Sequence, residues 1–213
     1  MTTSQVKEGK SKYEENALKD AIAILDFGSQ YSQLIARRVR EHSVSSELLP
    51  HSISAADLKR LNPKGIILSG GPNSCYEEHA PQLDPEIWKM GLPVLGVCYG
   101  MQLMSRDLGG HVEPAEVREY GRAMLTIVHH DKLFEGLDPT MESWMSHGDS
   151  VTKLPEGFAV VARTVDTPVA AIADELRNYY GVQFHPEVVH TRGGRQVIAN
   201  FTLNICGCPP NWT

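Results

Sequence analysis

Cys98 lies in a glycine-flanked segment, residues 96–100 with the sequence GVCYG, between a predicted strand and a predicted helix. A sharp strand-to-helix turn pushes its central side chain out at the carboxyl edge of the sheet. Glycines on either side avoid clashes in such a turn. The free N–H groups at the start of the helix also favour a negatively charged thiolate. The segment therefore predicts a nucleophilic cysteine rather than a buried structural one.

The base that such a nucleophile needs is predicted at residues 185–187 (HPE), which follow a predicted strand at 179–184. Proline favours extended geometry in the residue before it, and alternate residues of an extended chain point the same way. His185 and Glu187 then suit a base that takes the thiol proton and a carboxylate that orients it. Alone, HPE would more often be a surface turn, so this prediction depends on Cys98.

A third segment, residues 69–72 (SGGP), also follows a predicted strand. Its glycines allow backbone N–H groups to face the nucleophile, and with the amide of Tyr99 they would stabilise an oxyanion. A plain glycine–proline turn is an equally good interpretation of this segment by itself. Together the three segments indicate acyl transfer, in which a thiolate attacks a carbonyl and water resolves the thioester. They leave the substrate open.

The elements that must position these groups alternate between strand and helix in the first half of the chain. Strands are predicted at 21–27, 44–49, 65–69 and 92–97, and helices at 30–42, 54–61, 85–90 and 99–108. Such alternation indicates an α/β fold with a mostly parallel sheet flanked by helices. Short β-like runs then predict an antiparallel extension, before a last helix at 195–205. These runs are 111–117, 123–128, 141–146, 158–163, 168–173 and 179–185.

The bulk composition excludes several classes of function. The chain has 213 residues without a biased tract, which suits one compact domain. Its net charge of -6 argues against a nucleic-acid partner, because phosphate binding needs a basic surface. No apolar run approaches the roughly 20 residues of a membrane span, and the acidic residues within 1–20 argue against a transit peptide. We therefore expect a cytoplasmic protein without a membrane partner.

Cysteine and histidine usage gives no sign of a metal site. Four cysteines are too few for a disulfide scaffold in a chain of this length. Cys206 and Cys208 form a C-x-C pair without a second pair to complete a zinc site. His129, His130 and Asp131 have no matched further ligand, so an exposed turn is favoured there. The sequence predicts no metal and no cofactor in this chain.

Five segments, in this order, resemble the class I (triad-type) glutamine amidotransferases, and most closely the amidotransferase domains of the GMP synthase family. They are residues 24–31 (ILDFGSQY), 67–72 (ILSGGP), 96–102 (GVCYGMQ), 144–149 (WMSHGD) and 181–188 (GVQFHPEV). The resemblance covers about residues 21–208. The first and fourth segments, with HTR at 190–192, favour this family over amidotransferases for anthranilate, carbamoyl phosphate or CTP synthesis.

The resemblance implies a role for each matched residue. Cys98 would attack the side-chain amide of glutamine, His185 would protonate the leaving ammonia, and Glu187 would orient His185. The backbone amides of Gly71 and Tyr99 would form the oxyanion hole. The residues implied to hold glutamine are Gly70, Gln102, Ser146, His147 and Asp149.

The resemblance also implies a partner. The ammonia would pass to a synthetase domain or subunit, an ATP pyrophosphatase that adenylates XMP with ATP and magnesium and aminates it to GMP. Nothing in this chain resembles the phosphate loop of that domain, so ATP and magnesium are expected only there. We expect a polar extension at 1–20, an amidotransferase domain at 21–206 and a linker-like tail at 207–213. The tail favours a domain of a longer enzyme over a separate subunit.

Two alternatives stay open at this point. The chain would also fit a class I amidotransferase that serves another synthetase, or a glutamine-binding regulatory module whose activity depends on a partner. The intact set of Cys98, His185 and Glu187 argues against permanent inactivity. His190, Arg192 and the segment after Gly109 are the expected candidates for a docking surface.

Overall fold

The computed structural model describes residues 11–213, which form one sheet of nine strands with helices packed against it. The strands are β1 Ala21–Asp26, β2 Ser45–Pro50, β3 Gly65–Leu68, β4 Val94–Val97, β5 His111–Ile127, β6 Thr140–Lys153, β7 Ala159–Arg163, β8 Ala171–Asp174 and β9 Tyr179–Val182. Their order across the sheet is β2-β1-β3-β4-β9-β8-β7-β5-β6. Pairs from β2 to β9 in this order are parallel, and the remaining pairs are antiparallel.

Helices lie on both faces of the sheet, which divides the core into two halves. They are α1 Ser32–Arg40, α2 Ala55–Leu61, α3 Tyr99–Asp107 and α4 Gly194–Ala199, with a 3₁₀ helix at Pro85–Lys89 and a π-helix at Asn200–Ile205. Because strand side chains alternate between faces, Ile24 packs into one core with α1 and α4, and Leu25 into the other with α2 and α3. Apart from the edge strand β2, the parallel strands are buried on both faces. Because these strands are parallel, their carboxyl ends meet at one edge of the sheet.

The predicted α/β class is confirmed, and the early elements lie close to their predicted positions. Ser54 caps α2, since its Oγ accepts a hydrogen bond from the Asp57 amide at 3.1 Å. The predicted helix at 85–90 is a single 3₁₀ helix with Asp84 as its cap. Local periodicity and capping residues were sufficient to place these elements.

The second half of the chain differs from the prediction in three ways. The runs predicted at 111–117 and 123–128 are one strand, β5, which pairs with β6 on both sides of an irregularity at 115–118. The run predicted at 179–185 is not part of the antiparallel extension, since β9 pairs in parallel with β4. The last helix changes to a π-helix after Ala199. There the Thr202 hydroxyl donates to the Ile198 carbonyl at 2.8 Å and competes with the backbone hydrogen bonds.

Both ends of the described chain pack onto the domain. The Asn16 amide donates to the Arg60 carbonyl at 2.9 Å, which fixes residues 11–20 against α2. The Trp212 amide donates to the Ser43 carbonyl at 2.8 Å, and the Trp212 ring lies 5.6 Å from the guanidinium carbon of Arg40. Residues 1–10 of the predicted polar extension lie outside the described residues. Within 11–213, no helix has the length and apolar character to cross a membrane.

Asp131 corrects the expectation of an exposed turn at 129–131. Its side chain is buried, and its Oδ1 accepts a hydrogen bond from the Phe134 amide at 3.0 Å. Its Oδ2 is also buried and has no hydrogen-bond partner among the described residues. Burial, aided by the nearby charge of Glu175, raises the pKa of Asp131 to about 6. The protein therefore holds a carboxylate that is unfavourable in the folded state at neutral pH.

Asp131→Asn is expected to stabilise the protein relative to wild type as the pH rises. The pKa of Asp131 is higher in the folded state than its ordinary value of 3.8, so the unfolded chain loses this proton first. Wild-type stability consequently falls between about pH 4 and pH 6, whereas asparagine does not titrate. The gain at neutral pH should be about 2 to 3 kcal/mol. Urea unfolding at acidic and neutral pH measures it, and an equal difference at both pH values would refute the prediction.

Candidate active site

The backbone turns sharply at Cys98, between β4 and α3. Cys98 adopts φ +50° and ψ −106°, a conformation that non-glycine residues seldom adopt and that stores strain at functional sites. A Cβ added to Gly96 would lie 2.6 Å from the Gly100 backbone, and one added to Gly100 would lie 2.5 Å from the Leu68 carbonyl oxygen. Only glycine fits at either position. The glycines thus let α3 start directly against the sheet and hold Cys98 in its turn.

The sulfur of Cys98 lies between two polar groups and is almost buried. The Cys98 residue is 5% exposed, and its Sγ lies 3.6 Å from the Ser146 carbonyl oxygen. On another side the Gln183 side-chain amide donates to Sγ, also at 3.6 Å. Sequence reasoning did not single out Gln183, although its position two residues before His185 would place both side chains on one side of an extended segment.

His185 and Glu187 are in direct contact. The Nδ1 of His185 lies 2.8 Å from Oε1 of Glu187, and the two residues are 4% and 0% exposed. The backbone of His185 is also fixed, because its amide donates to the Trp144 carbonyl at 3.0 Å and its carbonyl accepts from the Thr191 hydroxyl at 2.6 Å. With Nδ1 donating to the carboxylate, Nε2 is the nitrogen left for proton transfer.

His185 and Cys98 converge beside Gly70. A Cβ added to Gly70 would lie 3.2 Å from Cε1 of His185 and 3.7 Å from Cβ of Cys98. Burial alone would lower the pKa of His185. The neighbouring sulfur of Cys98 and the carboxylate of Glu187 outweigh burial and raise this pKa well above its ordinary value of 6.5. The site therefore favours a protonated imidazole next to the sulfur.

The turn that carries Glu187 is anchored from α1. The buried Arg38 donates through Nε to the Glu187 carbonyl at 2.8 Å, and its Nη1 pairs with Glu41 at 2.9 Å. The second carboxylate oxygen of Glu187, Oε2, is buried without a hydrogen-bond partner in the described part of the chain. One carboxylate oxygen of Glu187 thus contacts His185, and the other has no hydrogen bond among the described residues to offset its burial. Nothing in the local sequence of α1 signals the role of Arg38.

The two amides predicted to form an oxyanion hole lie on neighbouring segments. A Cβ added to Gly71 would lie 2.7 Å from the Phe27 carbonyl oxygen and 3.3 Å from Cγ of Tyr99, so this position also requires glycine. Ser69 fixes the loop, since its hydroxyl accepts from the Phe27 amide at 2.9 Å and donates to the Gly70 carbonyl at 2.8 Å. Within residues 11–213, neither the Gly71 amide nor the Tyr99 amide is used in a backbone hydrogen bond.

The predicted glutamine-holding residues of β6 are linked to α3. The buried Gln102 donates through Nε2 to the Asp149 carbonyl and to Oε1 of Gln183, both at 3.2 Å. The Nδ1 of His147 lies 2.9 Å from the same Asp149 carbonyl. Burial lowers the pKa of His147, so this imidazole is favoured in its neutral form. Ser146 lies at the end of this network, against the sulfur of Cys98.

The carboxylate of Asp149 holds the loop after β3. Its Oδ2 accepts from the Ser74 hydroxyl at 2.5 Å, and its Oδ1 accepts from the Tyr76 hydroxyl at 2.8 Å. The Asp149 side chain therefore connects β6 to that loop. Each of its two oxygens accepts one hydrogen bond, so each keeps a lone pair for a ligand. This contact spans more than 70 positions of sequence and has no local signal.

These groups surround one cavity of about 720 Å³. The predicted site residues that line it are Gly71, Cys98, Gln102, Ser146, His147, Asp149 and His185. Gly70, Tyr99 and Glu187 are not among its lining residues. The lining residues that sequence reasoning did not assign to the site include residues 28–31, Asn73, Arg118 and Tyr120. Within 11–213, no three His, Cys, Asp or Glu side chains are grouped to hold a metal ion.

Comparison with known proteins identifies the class that this fold and site define. Residues 23–205 match the family described as glutamine amidotransferase class-I. The chain belongs to the class I glutamine amidotransferase family, as its sequence predicted. More narrowly, it is an amidotransferase domain homologous to part of the GMP synthases.

The relatives differ in how much of their length this chain covers. Glutamine-hydrolysing GMP synthase of Gloeobacter violaceus is 56% identical over 210 residues, which are 99% of this chain and 38% of that protein. The enzyme of that name from Thermosynechococcus vestitus is 55% identical over 213 residues, or 100% and 40%. A solved structure, described as a GMP synthase subunit from Thermoplasma acidophilum, superposes with a TM-score of 0.81 at 30% identity and covers 88% of this chain and 94% of that one. The chain thus spans about two fifths of the curated relatives.

Proposed function

We propose that this chain hydrolyses glutamine through Cys98, His185 and Glu187, and that the released ammonia serves the amination of XMP to GMP. The observation that carries the proposal is the buried 2.8 Å contact between His185 and Glu187. It lies beside a cysteine held at φ +50° on the edge of a cavity. A nucleophile, an oriented base and unpaired amides in one place are the parts that acyl transfer needs.

The proposed first half-reaction forms a thioester. The thiolate of Cys98 attacks the side-chain carbonyl carbon of glutamine, and the carbonyl oxygen becomes an oxyanion that the amides of Gly71 and Tyr99 stabilise. When the tetrahedral intermediate collapses, the carbon–nitrogen bond breaks and the imidazolium of His185 gives its proton to the leaving nitrogen. Ammonia leaves, and a γ-glutamyl group stays on sulfur.

The second half-reaction restores the enzyme. Neutral His185 takes a proton from water, the resulting hydroxide attacks the thioester carbonyl, and glutamate departs as the thiolate of Cys98 re-forms. Glu187 keeps the imidazole in one tautomer and stabilises its charged form in both halves. Gln102 and the segment 146–149 are proposed to hold the substrate, since they belong to one network of hydrogen bonds that reaches the sulfur. Gly70 is proposed with them because it lies beside Cys98.

The proposed consumer of ammonia is an ATP pyrophosphatase domain or subunit that aminates XMP and binds ATP and magnesium itself. The support is the identity of more than half of all aligned positions with GMP synthases, which extends over nearly the whole chain. Relatives occur in both lengths, since this chain covers 38% of one and 94% of another whose description names a subunit. The proposal therefore includes both a covalently linked and a separate partner.

One reconstitution tests the proposal. The chain is combined with an XMP-aminating synthetase domain, ATP, magnesium and XMP, and GMP is measured with glutamine or with ammonium chloride as the nitrogen source. We expect GMP from both sources with the wild-type chain, and only from ammonium chloride with Cys98→Ala. Stimulation of glutamine hydrolysis by a carbamoyl phosphate or CTP synthetase partner, and none by the XMP-aminating partner, would contradict the assignment to GMP synthesis.

A further inference from the structure

Arg118 reaches the cavity because β5 is irregular where it passes the active site. Pro114 pairs with Asp149 and Glu119 pairs with His147, so four residues of β5 stand opposite Gly148 alone. Bulges of this kind bend a strand and redirect its side chains, and they are common beside active sites. The irregularity therefore places residues 115–118 opposite Gly148, two positions after the Ser146 carbonyl that contacts Cys98.

Glu119 establishes which way its two neighbours face. Its carboxylate accepts hydrogen bonds from the Thr164 hydroxyl at 3.0 Å and the Thr167 hydroxyl at 2.6 Å, on the side of β7 and β8. Adjacent side chains of a strand point to opposite sides, and Arg118 and Tyr120 accordingly line the cavity. The Nε of Arg118 and the hydroxyl of Tyr120 would each lie 3.6 Å from a Cβ built on Gly148.

Among the residues of 11–213 that line this cavity, Arg118 is the one lysine or arginine. Its guanidinium forms no ion pair within 4.0 Å with any acidic group of residues 11–213. The two histidines of the cavity are already engaged, since His185 bonds Glu187 and His147 bonds the Asp149 carbonyl. The described part of the chain thus gives the cavity one permanent positive charge, and that charge is free to meet an anionic group.

We propose that Arg118 binds the α-carboxylate of the substrate and thereby selects free glutamine over amides that lack this group. The inference rests on the proposed function, which places the side-chain amide of glutamine at Cys98. The α-carboxylate then lies at the far end of the substrate, towards the exposed part of the cavity where Arg118 stands. A guanidinium fits this group because its planar fork can donate two parallel hydrogen bonds to a carboxylate.

Two cysteine-directed reagents separate this role from a structural one. The first, 6-diazo-5-oxo-L-norleucine, carries the α-amino and α-carboxylate groups of glutamine, whereas iodoacetamide carries neither. For Arg118→Met, we expect labelling of Cys98 by the first reagent to slow about 10- to 100-fold, the usual effect of losing a charge-assisted hydrogen bond. Labelling by iodoacetamide should change less than about twofold, because Arg118 does not orient the triad. Rates are measured by mass spectrometry of the Cys98 peptide.

Arg122→Met is the matched control, since Arg122 is exposed on the same strand and does not line the cavity. It should leave both rates unchanged, and Arg118→Lys should recover part of the rate with the first reagent. Equal slowing with both reagents, or no slowing with either, would overturn the role of Arg118. If wild-type Cys98 reacted with neither reagent ahead of the other cysteines, the proposed function itself would fail, which is a different result.

Discussion

Cys98→Ala is expected to lower the rate of glutamine hydrolysis at least about a thousandfold, because Cys98 is the one thiol among the described residues that line the cavity. The backbone of the variant should stay intact, since alanine fits wherever cysteine fits and Cys98 donates no strong hydrogen bond. Loss of activity without loss of stability would therefore show that Cys98 acts in the reaction and not in folding. Ammonia release in a coupled assay measures the activity, and thermal unfolding measures the stability.

Cys208→Ala provides the matched control for this experiment. Cys208 is also a buried free cysteine, and burial raises the pKa of its thiol to about 12, so it is an unreactive group. Its replacement should change the hydrolysis rate less than about threefold. Hydrolysis that survives Cys98→Ala, or that depends equally on Cys208, would exclude the mechanism.

His185→Asn is expected to reduce activity by a similar factor and, unlike Cys98→Ala, to lower the stability of the protein as well. The variant has no base for the thiol proton, and it gives the buried carboxylate of Glu187 an uncharged amide donor in place of the imidazolium. An uncompensated buried charge costs about 3 to 5 kcal/mol of stability. The single variant should thus be both inactive and less stable.

The double variant His185→Asn, Glu187→Gln separates the two effects. The glutamine side chain at position 187 carries no charge, so most of the lost stability should return, whereas activity should not. Urea unfolding and the coupled ammonia assay give the two measurements. A double variant that regains activity along with stability would show that His185 contributes to folding and not to proton transfer.

The local part of the site could be predicted from sequence. The strand, the glycines and the helix that surround Cys98 are contiguous, and their steric requirements are visible at Gly96 and Gly100. His185 and Glu187 are likewise two positions apart, so their contact follows from short-range geometry. The order of the matched segments then led to the family, which the comparisons confirm.

The rest of the site depends on contacts between distant parts of the chain. Arg38 meets the Glu187 carbonyl across 149 positions, and Asp149 meets Ser74 across 75. Arg118 enters the cavity only because β5 and β6 pair out of register. The parallel pairing of β9 with β4 is also a choice of partner that no periodicity reveals. Burial patterns in the sequence identify strands, but they do not show which strands pair with each other in the sheet.

The covalent intermediate is the most direct test of the central claim that Cys98 carries the γ-glutamyl group. The chain, with its synthetase partner present, is mixed with glutamine, quenched in acid during turnover, digested, and analysed by mass spectrometry. We predict that the peptide containing Cys98 gains the mass of one γ-glutamyl group, which hydroxylamine removes as expected for a thioester. Continued release of ammonia with no such adduct, or with the adduct on Cys75, Cys206 or Cys208, would contradict the account.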